Sequence, residues 1–217
     1  MNFSDIINFS DYDRLLPLVT NSLIAGALLA LIGGMVGVFV MTRELSFAVH
    51  GIAELSFAGA AIFLLIGLDV VLGSVFGSII AAAIIAFLGE RAKDRNSIVA
   101  VLMPFGLGLG ILALSLYPGR AANKFGLLTG QIVAVDDPKL ASMAVITAIV
   151  LVAMLLIWRP LSFSSLDPEV AAARGVPTKA LGIVFVMLLG LSVAAAVQIV
   201  GALLVLALLV TPAAAAL

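Results

Sequence analysis

Along this chain, charged residues act as widely spaced dividers between apolar runs. Residues 15–42 lie between Arg14 and Arg43. Residues 45–68, charge-free except for Glu54, lie between Glu44 and Asp69, and residues 70–89 precede the stretch ERAKDR. Residues 96–119 and 140–158 follow, each closed by an arginine. A helix needs about 20 mainly apolar residues to cross a hydrocarbon core of about 30 Å, so each run predicts one span. From Ala180 to Leu217 there are 38 residues without a charge. As one helix they would extend about 57 Å, nearly twice the core, so the run splits best near Gln198–Gly201. The pattern predicts an all-α, polytopic membrane helix bundle of about seven spanning segments, with residues 1–217 as one transmembrane domain.

Composition agrees. The chain has 217 residues, 64% of them hydrophobic and 11% charged. A soluble domain is about half apolar and about a quarter charged. A water-soluble fold of this length cannot bury so much apolar surface. A net charge of −1 offers no basic face for nucleic acid. Without cysteine there are no disulfides and no thiolate metal sites. The N-terminus places Asp5, Asp11 and Asp13 before the first apolar run, with Arg14 its one basic residue. A secretory signal opens with basic residues, so residues 1–14 are expected outside the membrane or along its surface.

Lysine and arginine set the orientation. GERAKDRN carries Arg91, Lys93 and Arg95, and the segment from Arg159 to Lys179 carries Arg159, Arg174 and Lys179. Both are expected in the cytoplasm, and the two spans between them make the signals agree. Arg43 and Glu44 then face inward and segment 118–139 faces outward. Its KFGLLTGQIVAVDD core is apolar but too short to span, as in a re-entrant or interfacial piece. Glycine pairs Gly33–Gly37, Gly73–Gly77 and Gly106–Gly110 have the spacing that lets helix backbones approach in lipid. The GLGLG at 106–110 lacks the preceding strand of a dinucleotide loop, and no P-loop motif occurs.

Ionisable residues inside a span are costly and ask for a reason. His50, the single histidine, precedes Glu54 by four residues, so both lie on one helix face, about 6 Å apart along its axis. An imidazole nitrogen with a carboxylate oxygen is a ligand pair suited to Zn²⁺, Mn²⁺ or Fe²⁺. Taken alone, the pair is equally open to a structural bond or a proton relay. The corresponding functions are a proton-coupled secondary transporter using Glu54, or a membrane scaffold that transports nothing. Gln198 sits at the expected break near the outer side, as a gate residue or a satisfied amide at a helix end. Thr211–Pro212 marks a kink or an end. Asp167 reads as an N-cap, Pro168 as the first helical residue and Glu169 as first-turn charge. Gly175 reads as the stop, with Pro177 preventing continuation. These predict a short surface helix over 168–174 in a cytoplasmic loop, a docking element or a plain connector.

Three stretches resemble the permease subunit of bacterial ABC importers for zinc, manganese or iron, the ABC-3 type, over residues 20 to 217. VFVMTRELSFAVHGIAELSFAGAA looks like that family's second span, with its Arg-x-x-Ser entrance. LDPEVAAARGVPTKAL resembles the coupling helix that docks into the ATPase subunit, and AVQIVGALLVLALLVTPAAAAL resembles the closing Gln-x-x-Gly run. The resemblance implies a channel-forming permease moving a divalent cation into the cytoplasm past His50 and Glu54, with Gln198 on the gate or pathway. It implies a coupling helix over about 166–177 whose ATPase contacts come from Asp167, Pro168, Glu169, Ala172, Arg174 and Gly175. The implied partners are a cytoplasmic ABC ATPase, an extracellular or periplasmic metal-binding protein and a second permease copy, in the bacterial plasma membrane. ATP hydrolysis would belong to the separate ATPase, and no permanent cofactor is implied beyond the transported cation. The family's second span carries Asp and then His four residues later, whereas here the two chemistries are exchanged, which leaves the metal open. The family chain also continues with further hydrophobic segments after Pro-Ala-Ala, so this chain is expected to be C-terminally truncated.

Overall fold

The protein is described by a computed structural model covering residues 12–89, 92–119, 126–127, 129–130 and 135–216, with backbone only for 12–18 and 92–94. The acidic stretch 1–11, Arg91 and half of the expected re-entrant segment 118–139 lie outside the described residues. Seven helices and no strand occur among them: α1 (Tyr12–Thr42), α2 (Ser46–Leu65), α3 (Val70–Leu88), α4 (Ala92–Leu116), α5 (Asp137–Leu166), α6 (Pro168–Ala173) and α7 (Thr178–Ala216). All but α6 are long and apolar enough to cross a membrane. Side chains such as Leu72, Phe76, Val101, Leu155 and Leu156 are more than half exposed, as expected where lipid rather than water is the solvent.

Two boundaries differ from the charge-divider reading. Helix α5 does not stop at Arg159 but runs on to Leu166, taking Pro160 into its interior. Over 30 residues it extends about 45 Å, enough to carry its last turns past the hydrocarbon. An arginine near a helix end can snorkel to the interface, so charge marks the membrane edge without ending the helix. Helix α7 also continues through Pro212 to Ala216, where an end or kink was expected.

The 39 residues of α7 are two arms that meet at Gly201, whose φ 75° and ψ 163° are non-helical. Contacts with α1 show that the chain reverses there. Phe185 packs edge-on against Phe39, with ring centroids 5.8 Å apart, near the Arg43 end of α1. Ile199 and Val200 line a cavity with Ser22 and Gly26 at the other end. Beyond Gly201, Leu208, Leu209 and Ala213 return against Gly33 and Gly37. The run that sequence length required to be split is therefore an antiparallel pair, and the arms bring the number of apolar segments to seven. Only glycine adopts such a backbone without strain, and Gly130 packs directly on the turn.

All three glycine pairs stand at helix contacts. Gly33 and Gly37 face the second arm of α7, Gly73 and Gly77 face Gly59 and Leu55 of α2, and Gly106 and Gly110 face Glu54, Leu55 and Phe57. Helix α2 is thus held by α3 on one side and α4 on another. Its Ser56 hydroxyl is 2.7 Å from the Ser74 hydroxyl, which donates to the Ala194 carbonyl at 3.4 Å. These bonds join α2, α3 and α7 inside the bundle.

Candidate functional site

His50 and Glu54 lie on α2, the most enclosed of the spans. Glu54 is 3% exposed, and the His50 side chain is 26% exposed. His50 Nε2 stands 3.8 Å from Glu54 Oε1. That is too long for an N–H···O hydrogen bond, whose heavy-atom distance is about 2.7–3.2 Å. His50 Nδ1 and Glu54 Oε2 are both buried without a hydrogen-bond partner. Buried polar atoms are rarely left unpaired, since each costs about 1–3 kcal/mol or more when charged. The pair therefore has ligand capacity that the fold does not use. The two side chains form no mutual hydrogen bond and stand at ion-pair distance only. No third His, Cys, Asp or Glu joins the pair among the described residues.

Sequence and packing together explain the position. Position 54 falls where Gly106 of α4 comes against the α2 backbone, and an added Cβ at Gly106 would lie 2.9 Å from the Glu54 carbonyl carbon. On the next turn, Gly51 takes Val99 and Met103. The small residues hold α4 close against the α2 backbone beside the pair.

Gln198 lies in the last turn of the first α7 arm, at the end of the bundle opposite Arg43. Its side chain lines a cavity of about 240 Å³ with Ala60, Leu64, Ser74, Gly126 and Lys139. Both polar atoms of its amide are buried without a partner. Neither His50 nor Glu54 lines that cavity, so Gln198 is a polar position separate from the pair. No protein group among the described residues satisfies the Gln198 amide, which faces the cavity instead.

At the opposite end, α6 forms as the sequence reading expects. Asp167 accepts from the Val170 amide at 3.0 Å and has an extended backbone, so it is the N-cap. Pro168 is the first helical residue and Glu169 sits in the first turn. Arg174 is the C-cap, and Gly175 follows at φ 81°. Glu169, Ala172, Arg174 and Gly175 are exposed, while Ala171 is fully buried and anchors the helix to the bundle.

The sequence reading missed one polar cluster. Arg43, just after α1, donates from Nε to the Ser165 hydroxyl at 2.8 Å and from Nη2 to the Ser164 hydroxyl at 2.6 Å. Arg95 donates from Nη2 to the carbonyls of Arg43 and Glu44, both at 3.2 Å. The signal was present in the Arg-x-x-Ser motif and the basic loop. Their meeting depends on α5 running past Arg159 to deliver the two serines.

Comparisons with known proteins give a consistent picture. The profile of the ABC 3 transport family matches residues 16–217. The manganese transport system membrane protein MntC of Halalkalibacterium halodurans is 30% identical over 94% of this chain and 71% of its own length. The manganese import system permease protein ScaB of Streptococcus parasanguinis is 27% identical over 97% of this chain and 75% of its own. Among solved structures, PsaBC from Streptococcus pneumoniae in complex with Fab superposes with a TM-score of 0.82 at 27% identity, over 96% of this chain and 76% of that one.

Proposed function

Because the chain belongs to the ABC 3 transport family, we propose that it is the plasma-membrane permease of a divalent-metal importer and that manganese is its cargo. The observation that carries this is the His50–Glu54 pair: Glu54 buried and His50 partly so, 3.8 Å apart, with unspent polar atoms on a membrane-spanning helix. The relatives named for manganese transport favour that metal over zinc or iron. The ligand chemistry is compatible, since Mn²⁺ accepts carboxylate oxygen readily and imidazole nitrogen as well. Two protein ligands and no third nearby carboxylate also suit an ion in passage, which must be held firmly enough to enter and loosely enough to leave.

In this reading the cation arrives from an external binding protein, passes Gln198, and is stripped of part of its water at His50 and Glu54. A cytoplasmic ATPase docks on α6 through Glu169, Ala172, Arg174 and Gly175, with Asp167 and Pro168 fixing the helix start, and hydrolyses the ATP. A second permease copy completes the channel. The chain itself makes and breaks no covalent bond. The test is radiolabelled Mn²⁺ uptake by a strain deleted for the gene and complemented with the full-length copy, with Zn²⁺ and Fe²⁺ as competitors. Restored Mn²⁺ uptake that requires the ATPase gene supports the proposal. Uptake independent of the ATPase would instead favour proton coupling through Glu54, and zinc or iron uptake without manganese uptake would reassign the cargo.

A further inference from the structure

The Arg43–Arg95 cluster has more cationic capacity than the fold consumes. It divides two polar clefts at the end of the bundle that the lysine and arginine pattern assigns to the cytoplasm. One, of about 430 Å³, is lined by Arg43, Arg95, Thr178 and Lys179 together with the ends of α3 and α7. The other, of about 360 Å³, shares those four residues and adds Ser164, Ser165 and Pro168, the first residue of α6. Among the described residues no carboxylate comes within 4.0 Å of either arginine; Glu44, which is exposed, acts on Arg95 only from farther away. The donors that are used go to neutral hydroxyls and carbonyls. Arg95 Nε is buried without a partner. Burial first, and then the like charge of Arg95, push the Arg43 guanidinium below its ordinary range. Two arginines that line the same clefts, with no carboxylate of the described residues close to either, suit an anion, because paired arginines match the oxygens of a phosphate group in geometry and charge.

We propose that the Arg43–Arg95 cleft binds a phosphate-bearing anion at the cytoplasmic face, beside α6. The Thr178 hydroxyl lines both clefts and extends the donor set, whereas the Ser164 and Ser165 hydroxyls hold Arg43 in place while donating to the Leu161 carbonyl. Two sources share this chemistry: the headgroup of an anionic phospholipid of the inner leaflet, and free inorganic phosphate. The position at the membrane edge favours the lipid, whose leaflet carries a negative surface potential. Because the cleft joins the α1–α2 turn, the end of α5, the start of α6 and the start of α7, an occupant would tie the helix ends that flank the exposed docking helix. This inference is independent of which cation the permease carries.

Native mass spectrometry of the full-length permease, delipidated in a non-ionic detergent, tests it, with phosphatidylglycerol, phosphatidylcholine or inorganic phosphate offered in turn. The variants are Arg95→Gln and Thr178→Glu; the second removes neither arginine but places in the cleft a carboxylate that competes with an incoming anion, and an unchanged melting temperature of the apo protein shows that each variant is folded. The wild type is expected to retain phosphatidylglycerol at least about tenfold more than either variant, with phosphatidylcholine retained equally by all three. Phosphate that raises the melting temperature of the wild type alone, without phosphatidylglycerol retention, would place the source in solution and keep the site. Equal retention of phosphatidylglycerol and equal response to phosphate in all three proteins would overturn the proposal.

Discussion

At the scale of single residues, the unusual feature is an imidazole and a carboxylate held at ion-pair distance, each with a buried atom that finds no hydrogen-bond partner. A glutamate in a membrane span has few ways to be tolerated, and a passing cation is one of them. Glu54→Gln keeps the shape and removes the charge, and His50→Ala removes the nitrogen ligand. Each is expected to lower Mn²⁺ uptake by more than the 10–100-fold typical for loss of an outer-shell partner of a metal site, while the amount of protein in the membrane stays constant. Uptake of radiolabelled manganese, normalised to immunoblotted permease, checks both, and wild-type rates in the two variants would remove the ligand role. The pair was legible in sequence because nothing else in α2 is ionisable. That no hydrogen bond joins the two was not legible, since spacing fixes the shared face but not the side-chain distance.

At the scale of elements, caps and turns determine where helices begin and reverse. Asp167 supplies the N-cap of a six-residue helix, which is too short to persist on its own. Asp167→Ala is expected to cost about 1 kcal/mol of local helix stability and to reduce recovery of the ATPase subunit in a pull-down. Glu169→Lys is exposed and leaves the helix standing, so reduced recovery in that variant would report docking itself; unchanged recovery in both would leave α6 a connector. Gly201 is the corresponding element-scale device on the outer side. Gly201→Val forces a branched residue to φ 75°. The strain is expected to cost about 1–3 kcal/mol, read as a lower melting temperature of the detergent-solubilised protein.

For the whole molecule, glycine-mediated contact replaces the hydrophobic effect as the packing principle, because lipid is as apolar as leucine. An added Cβ at Gly77 would lie on the Leu55 carbonyl oxygen, and the Gly59 Cα would be 3.2 Å away. Gly77→Val is therefore expected to separate α2 from α3, at about 1–3 kcal/mol or more, with loss of a monodisperse peak in size-exclusion chromatography. Gly108→Ala is the control: nothing stands within 4 Å of its added Cβ, and the elution profile should not change. If both variants behaved alike, close backbone approach would not be what holds the bundle.

By itself the sequence determined the class, the number of apolar segments, the His50–Glu54 face and the cap chemistry of α6. Those follow from local rules: run length against membrane thickness, helical periodicity, and the residues that terminate helices. Only the tertiary structure decided that α5 outlasts its arginine, that the reversal expected near Gln198–Gly201 turns on Gly201 itself, and that Arg43 and Arg95 meet beside the serines of α5. Charge and length constrain where a helix can sit, but contacts between helices far apart in sequence decide where it stops and which way it returns. Among the described residues, unspent donors and acceptors at those contacts include Gln198 at the end opposite Arg43, His50 and Glu54 along α2, and Arg95 beside Arg43.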